Sequence, residues 1–236
     1  MQYKIYGDNL EVVACRFGAN EIIYGEAGAM VYMSGNVVMN AEAKGGFFKG
    51  IKRKFSGESF FLTKFTVSGG EGIAAFAGNV PGRIKPLTVT PGKEYLLQKD
   101  SFLVAEDGVD LDIAFQKKLG GAFFGGEGFV LQKMSGNGTG FIHAAGDVIE
   151  KELGPNEMLK VSTGKVVAWE NTVNYDIQRT GGIKSMMFSG EGLFVTTLRG
   201  PGKVWLQSMT LPQLAASLAP YMPQRDSSGN SGIRIG

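Results

Sequence analysis

Apolar and polar residues alternate with a period of two through much of this chain. Val109, Leu111, Ile113 and Phe115 alternate with Asp110, Asp112 and Ala114, and Val173, Tyr175 and Ile177 alternate with Asn174, Asp176 and Gln178. Successive side chains of a strand point to opposite faces, so the pattern predicts half-buried β-strands with one face inward and one wet. Shorter runs read the same way: Met30 to Met33, Phe60 to Phe65, Phe129 to Met134 and Leu193 to Leu198. Turn-forming residues separate them, as in Ser34-Gly35-Asn36, Pro81-Gly82, Pro91-Gly92, Gly136-Asn137-Gly138, Gly154-Pro155-Asn156 and Pro201-Gly202. The spacing predicts an all-β sandwich, barrel or prism. A helical period is predicted only near the end. Thr210 and Gln213 have capping-box spacing, Pro212 falls in the first turn, and Leu211, Leu214 and Leu218 share one face. Pro220 and Pro223 stop this helix within 210–224, and the polar, glycine-rich 225–236 is expected to be a disordered tail.

The pattern also repeats. A shift of 64 residues lays Phe102–Gly136 on Val166–Gly200 without a gap, and nine of the 35 positions are identical. Glu106 meets Glu170, Asp112-Ile113 meets Asp176-Ile177, and Gly126-Glu127-Gly128 meets Gly190-Glu191-Gly192. An earlier copy aligns Val37, Met39 and Ala41 with Val109, Leu111 and Ile113 at a shift of 72, then Phe55 and Gly57-Glu58 with Phe124 and Gly126-Glu127 at a shift of 69. The first copy therefore holds three more residues, within Lys44–Lys54. The repeat predicts three β units, 1–82, 83–146 and 147–209. A unit of about 65 residues buries too little surface to be stable alone, so the three are expected to share one core about a pseudo-threefold axis, with no flexible linker.

Composition narrows the class. Hydrophobic residues make up 43% and charged residues 19%, enough apolar matter for a packed interior, and the 36 glycines suit tight hairpins. A net charge of +2 from 24 basic and 22 acidic residues is too balanced for bulk electrostatics to argue for nucleic acid. Cys15 is the single cysteine, which excludes an internal disulfide and suits a reducing compartment. The first residues lack a basic-then-apolar leader pattern, and no run reaches the ~18 apolar residues of a spanning helix, so a cytoplasmic location is expected.

The segment Gly45 to Phe61, reading GGFFKGIKRKFSGESFF, resembles the hallmark of the altered inheritance of mitochondria protein 24 family. The later Gly-Glu-Gly motifs and the terminal leucine-bearing helix fit the same resemblance, which covers nearly the whole chain. The resemblance implies a fold like the tryptophan RNA-binding attenuation protein: short variants of the double-stranded β-helix, repeated within one chain. It further implies oligomer formation. It carries no catalytic residues with it, and the inner-membrane role of the mitochondrial relatives transfers only as analogy.

Candidate chemistry is sparse. Lys44, Lys49, Lys52, Arg53 and Lys54 put five cations between Ala43 and Glu58 with no acid among them, interleaved with Phe47, Phe48 and Ile51. Such a segment can meet anionic lipid or a partner, with phenylalanines inserting and cations on phosphates; a solvated hairpin whose rings pack back on the sheet is the plainer alternative. Phe47, Phe48, Lys49, Lys52, Arg53 and Lys54 form the candidate interaction loop. The repeated Glu58, Glu127 and Glu191 could ring a cation, though a turn carboxylate that accepts backbone N–H bonds is the simpler reading. Glu106-Asp107-Gly108-Val109-Asp110-Leu111-Asp112 lacks calcium-loop spacing. His143 is the single histidine, so a two-histidine-one-carboxylate metal site is excluded, and no nucleophile signature accompanies it. Glycine strings such as Gly69-Gly70-Glu71-Gly72 precede strands, not the helix a phosphate loop needs.

The expected function is a non-enzymatic scaffold or interaction protein without cofactor, metal or catalytic residues. Its expected partner is itself, as a homo-oligomer with a trimer as the first expectation. An anionic membrane surface or another protein is a further expected partner. Single-stranded RNA or small-ligand binding is the alternative.

Overall fold

The structure, a computed structural model, describes residues 1–41, 62–117, 129–179 and 194–222. The stretch expected as the first unit contributes β1 (Gln2–Tyr6), β2 (Val12–Gly18), β3 (Ile23–Glu26), β4 (Met30–Met33), β5 (Val37–Ala41), β6 (Leu62–Val67) and β7 (Glu71–Ala77), and "unit" below names these expected stretches. The second contributes β8 (Gly82–Val89), β9 (Tyr95–Gln98), β10 (Phe102–Glu106), β11 (Val109–Lys117), β12 (Phe129–Gly136) and β13 (Gly138–Ala145). The third contributes β14 (Val148–Leu153), β15 (Met158–Ser162), β16 (Val166–Glu170), β17 (Asn174–Arg179), β18 (Phe194–Arg199) and β19 (Gly202–Gln207). One helix, α1 (Leu211–Leu218), follows. The protein is all-β with a short C-terminal helix.

The strands form four antiparallel sheets, ordered β1-β2-β7-β4, β5-β6-β3-β10-β13-β8, β11-β12-β9-β16-β19-β14 and β15-β18-β17. Two trios recur within this order. The trio β2-β7-β4 has the connectivity of β8-β13-β10 and β14-β19-β16, and the trio β3-β6-β5 that of β9-β12-β11 and β15-β18-β17. The two six-stranded sheets each join the second trio of one unit to the first trio of the next.

Burial follows the two kinds of strand. On β11, Val109 is buried, Leu111 and Ile113 are half-buried, and Asp110 and Asp112 are exposed. On β17, Asn174, Asp176 and Gln178 are exposed while Tyr175 and Ile177 are half-buried. The inner strands β10 and β13 are different: Phe102 to Ala105 and Gly140 to Ala145 are buried on both faces. Such strands read as continuous apolar runs, not as alternation.

Buried side chains gather in three clusters. One joins Phe17, Phe65 and Phe76 of the first unit to Leu103 and Phe141 of the second. A second joins Tyr24 and Leu62 to Tyr95, Met134 and Ile142, and on to Val167 and Trp205. A third joins Leu131 to Trp169, Leu198 and Val204. Every cluster draws on more than one unit, and each large side chain buried this way contributes about 1.5–3 kcal/mol.

The glycines mark close approaches at matching places. A Cβ on Gly72 would lie 2.6 Å from Val37 Cγ2, one on Gly138 3.2 Å from Val109 Cγ2, and one on Gly202 2.8 Å from Val173 Cγ2. Gly138 and Gly202 also hold φ of 149° and 138°, which side chains disfavour.

Candidate interaction surface

The surface of interest is built from the strands where one unit meets the next. β10 lies against β3 with Val104 opposite Gly25, Ala105 opposite Tyr24 and Glu106 opposite Ile23. β16 lies against β9 with Ala168 opposite Leu97, Trp169 opposite Leu96 and Glu170 opposite Tyr95. The shifts of 64 and 72 residues relate one junction to the other position by position, so both have the same register.

The strands that enter these junctions are shaped alike. β4, β10 and β16 each carry an irregularity in their pairing, between Met30 and Tyr32, Phe102 and Val104, and Val166 and Ala168. A bulge there bends the strand and re-aims the residues beyond it. The end of each strand is pinned by a side chain accepting a backbone N–H: Ser34 Oγ from Ile73 at 2.9 Å, Glu106 Oε2 from Thr139 at 2.6 Å, and Glu170 Oε2 from Lys203 at 2.9 Å. Glu106 and Glu170 stand out in the sequence alignment. Ser34 does not, because a hydroxyl does the carboxylate's work there.

The third junction is open. Among the described residues β4 pairs only with β7, and β15 only with β18. Val31, Tyr32 and Met33 of β4 are 53%, 49% and 37% exposed, whereas their counterparts Leu103, Val104 and Ala105 are 1%, 0% and 2% exposed. In the third unit the counterparts Val167, Ala168 and Trp169 are all at 0%. On β15, Met158 is 54% exposed and Lys160 is exposed, while Val161 is already buried in its own unit. Among the described residues, the same strand is thus covered twice and bare the third time.

The candidate interaction loop Phe47, Phe48, Lys49, Lys52, Arg53 and Lys54 and the carboxylate Glu58 lie outside the described residues, between β5 and β6. Glu127 and Glu191 also lie outside them, between β11 and β12 and between β17 and β18. The three glutamates therefore fall in the connections of three matching strand pairs. Among the described residues, no group of three or more His, Cys, Asp or Glu side chains could hold a metal ion.

His143 is buried on β13 beside two glycines: a Cβ on Gly78 would come 2.3 Å from its Nδ1 and one on Gly82 2.5 Å from its Nε2. Burial lowers its pKa, against a hydrogen bond with the Val80 backbone and the charge of Glu11. Cys15 is fully buried, and burial pushes its thiol up to about 12, far from the thiolate a nucleophile needs. Glu26, at the end of β3, carries no mark in the sequence around it. Burial, with the charge of Asp100 working the same way and Lys99 opposing it, pushes its carboxyl up to about 7.

The terminal helix starts as its spacing predicts, with Thr210 Oγ1 accepting from the Gln213 N–H at 3.3 Å. Only this half of the capping box forms as written, since Gln213 Oε1 accepts from Lys165 Nζ. α1 has no buried residue, and Leu211 and Leu218 are exposed. No helix among the described residues is long and apolar enough to cross a membrane.

The family model described as Mitochondrial biogenesis AIM24 matches residues 3–209. An uncharacterized protein of Streptococcus pyogenes serotype M6 is 32% identical over 209 residues, covering 85% of this chain and 82% of the relative. The crystal structure of a Streptococcus pyogenes protein superposes with a TM-score of 0.78 at 28% identity, covering 94% of this chain and 99% of that one.

Proposed function

The chain belongs to the Mitochondrial biogenesis AIM24 family, and from that premise we propose that it is a non-enzymatic scaffold that works as a homo-oligomer. One observation carries this reading: the apolar edge formed by Val31, Tyr32 and Met33 is bare although its counterparts in the other units are buried. An exposed strand edge presents unpaired backbone groups and invites another strand. Soluble proteins commonly blunt such an edge with lysine, proline or an inward charge. β4, reading Met30-Val31-Tyr32-Met33, has none of these, and only its short length and its bulge turn it from a partner. An exposed apolar edge without charge or proline is better suited to association than to solvent.

The mass of the native protein tests the reading. Light scattering coupled to size exclusion, at tens of micromolar protomer, is expected to give an integral multiple of the 25.2 kDa chain. A double variant, Val31→Glu with Tyr32→Lys, is expected to shift the population to the monomer while keeping the β-sheet circular dichroism spectrum. A wild-type chain that stays monomeric at that concentration ends the proposal.

A further inference from the structure

We propose that β15 of one copy pairs antiparallel with β4 of the next, in the register of the two junctions inside the chain, so that copies join head to tail. This deepens the oligomer reading and rests on it. The chain itself supplies the template. At each internal junction the strand that opens one unit's second trio pairs with the strand that closes the next unit's first trio, as β3 does with β10 and β9 with β16. The strand of the third unit that matches β3 and β9 is β15, and the strand of the first unit that matches β10 and β16 is β4. These two lack the junction partner among the described residues.

The register follows from the repeat shifts. Val104 opposite Gly25 and Ala168 opposite Leu97 both map onto Tyr32 opposite Val161. Ala105 opposite Tyr24 and Trp169 opposite Leu96 map onto Met33 opposite Lys160. The next pair is Ser34 opposite Leu159. Two independent junctions thus give one answer. The surfaces suit it: Tyr32 would close over the cluster that already holds Val161, and the Lys160 stem would lie along Met33 with its ammonium in water.

The contact is heterologous, because one copy gives β4 and its neighbour gives β15. Every open assembly then keeps one free β4 at one end and one free β15 at the other until a ring closes. An isologous dimer, β4 on β4, would instead leave both β15 edges bare. The match to the internal junctions argues against it, since neither of them pairs like with like.

Cysteine cross-linking tests the pairing without requiring a ligand. Cys15 is buried with a suppressed thiol, so it need not be removed. Two chains are made, one Tyr32→Cys and one Val161→Cys, and a second set carries Met33→Cys and Lys160→Cys. Adjacent pairs in an antiparallel ladder alternate in spacing, so one of the two sets meets the separation a disulfide needs. Under mild oxidation, mixed chains of one set are expected to form a covalent two-chain product, while neither chain alone forms one. The slipped combination, Tyr32→Cys with Lys160→Cys, is expected to give at least tenfold less.

Each other outcome refutes something definite. Tyr32→Cys chains that cross-link to themselves show an isologous contact and overturn the inference, leaving the scaffold reading intact. An oligomer by mass in which neither in-register set cross-links does the same. Tyr32→Cys and Val161→Cys placed in one chain that close within it, at the mass of a monomer, overturn both. Circular dichroism and the unchanged mass of the reduced variants confirm that each variant still folds and assembles.

Discussion

Replacing Glu26 with glutamine tests whether its carboxyl is held in a dry setting at the end of β3. Burial, with the charge of Asp100 adding to it, raises its pKa from the ordinary glutamate value near 4.5 to about 7. The sign follows from proton counts. Between these two values the folded chain binds more protons at this site than the unfolded chain, so stability falls as pH rises through that window. A shift of this size corresponds to about 3 kcal/mol above pH 7, shrinking to about 1 kcal/mol or less at pH 5. An amide does not titrate. The glutamine variant is therefore expected to gain about 2 kcal/mol on wild type between pH 5 and pH 8.5. Urea unfolding of both proteins at the two pH values, at one fixed protomer concentration because assembly adds to apparent stability, measures the difference. A gap between variant and wild type that is equal at both pH values would show that the Glu26 carboxyl is hydrated and that this reasoning is wrong.

Two further outcomes follow from particular positions. Gly202→Ala is expected to cost about 2–4 kcal/mol in urea unfolding, since its φ is 138° and its Cβ would lie 2.5 Å from Thr172 Oγ1. Gly35→Ala, with nothing within 4 Å, is expected to stay within about 0.5 kcal/mol of wild type, and equal costs at the two sites would contradict the close-approach argument. The cations Lys49, Lys52, Arg53 and Lys54 are expected to support binding to acidic vesicles, with salt weakening it. Equal co-sedimentation of wild type and a variant with all four neutralised removes membrane contact from the proposed role.

Much of the fold is legible in the sequence, and where it is not, the reason is physical. Strands with one wet face announce themselves. Val109 to Phe115 and Asn174 to Gln178 alternate because water touches every second side chain, and β11 and β17 lie there. A strand covered on both sides, such as β10, leaves only an apolar run, which periodicity cannot separate from other buried structure. The terminal helix and its cap were also local matters, set by Thr210, Pro212 and the leucine spacing.

The candidate surface is the opposite case. The matching of Val31-Tyr32-Met33 to Leu103-Val104-Ala105 and Val167-Ala168-Trp169 is apolar against apolar in the sequence, with no sign of which set is bare. Exposure depends on which strand arrives alongside, and those strands come from some 70 to 80 residues away. The role shared by Ser34, Glu106 and Glu170 was hidden for the same reason, since its other half is a backbone N–H on a distant strand. The sequence alone determined the β class and the helix, because these rest on neighbours along the chain. Register, bulges and the uncovered edge were decided by tertiary structure, because each is a relation between strands that the order of residues does not bring together.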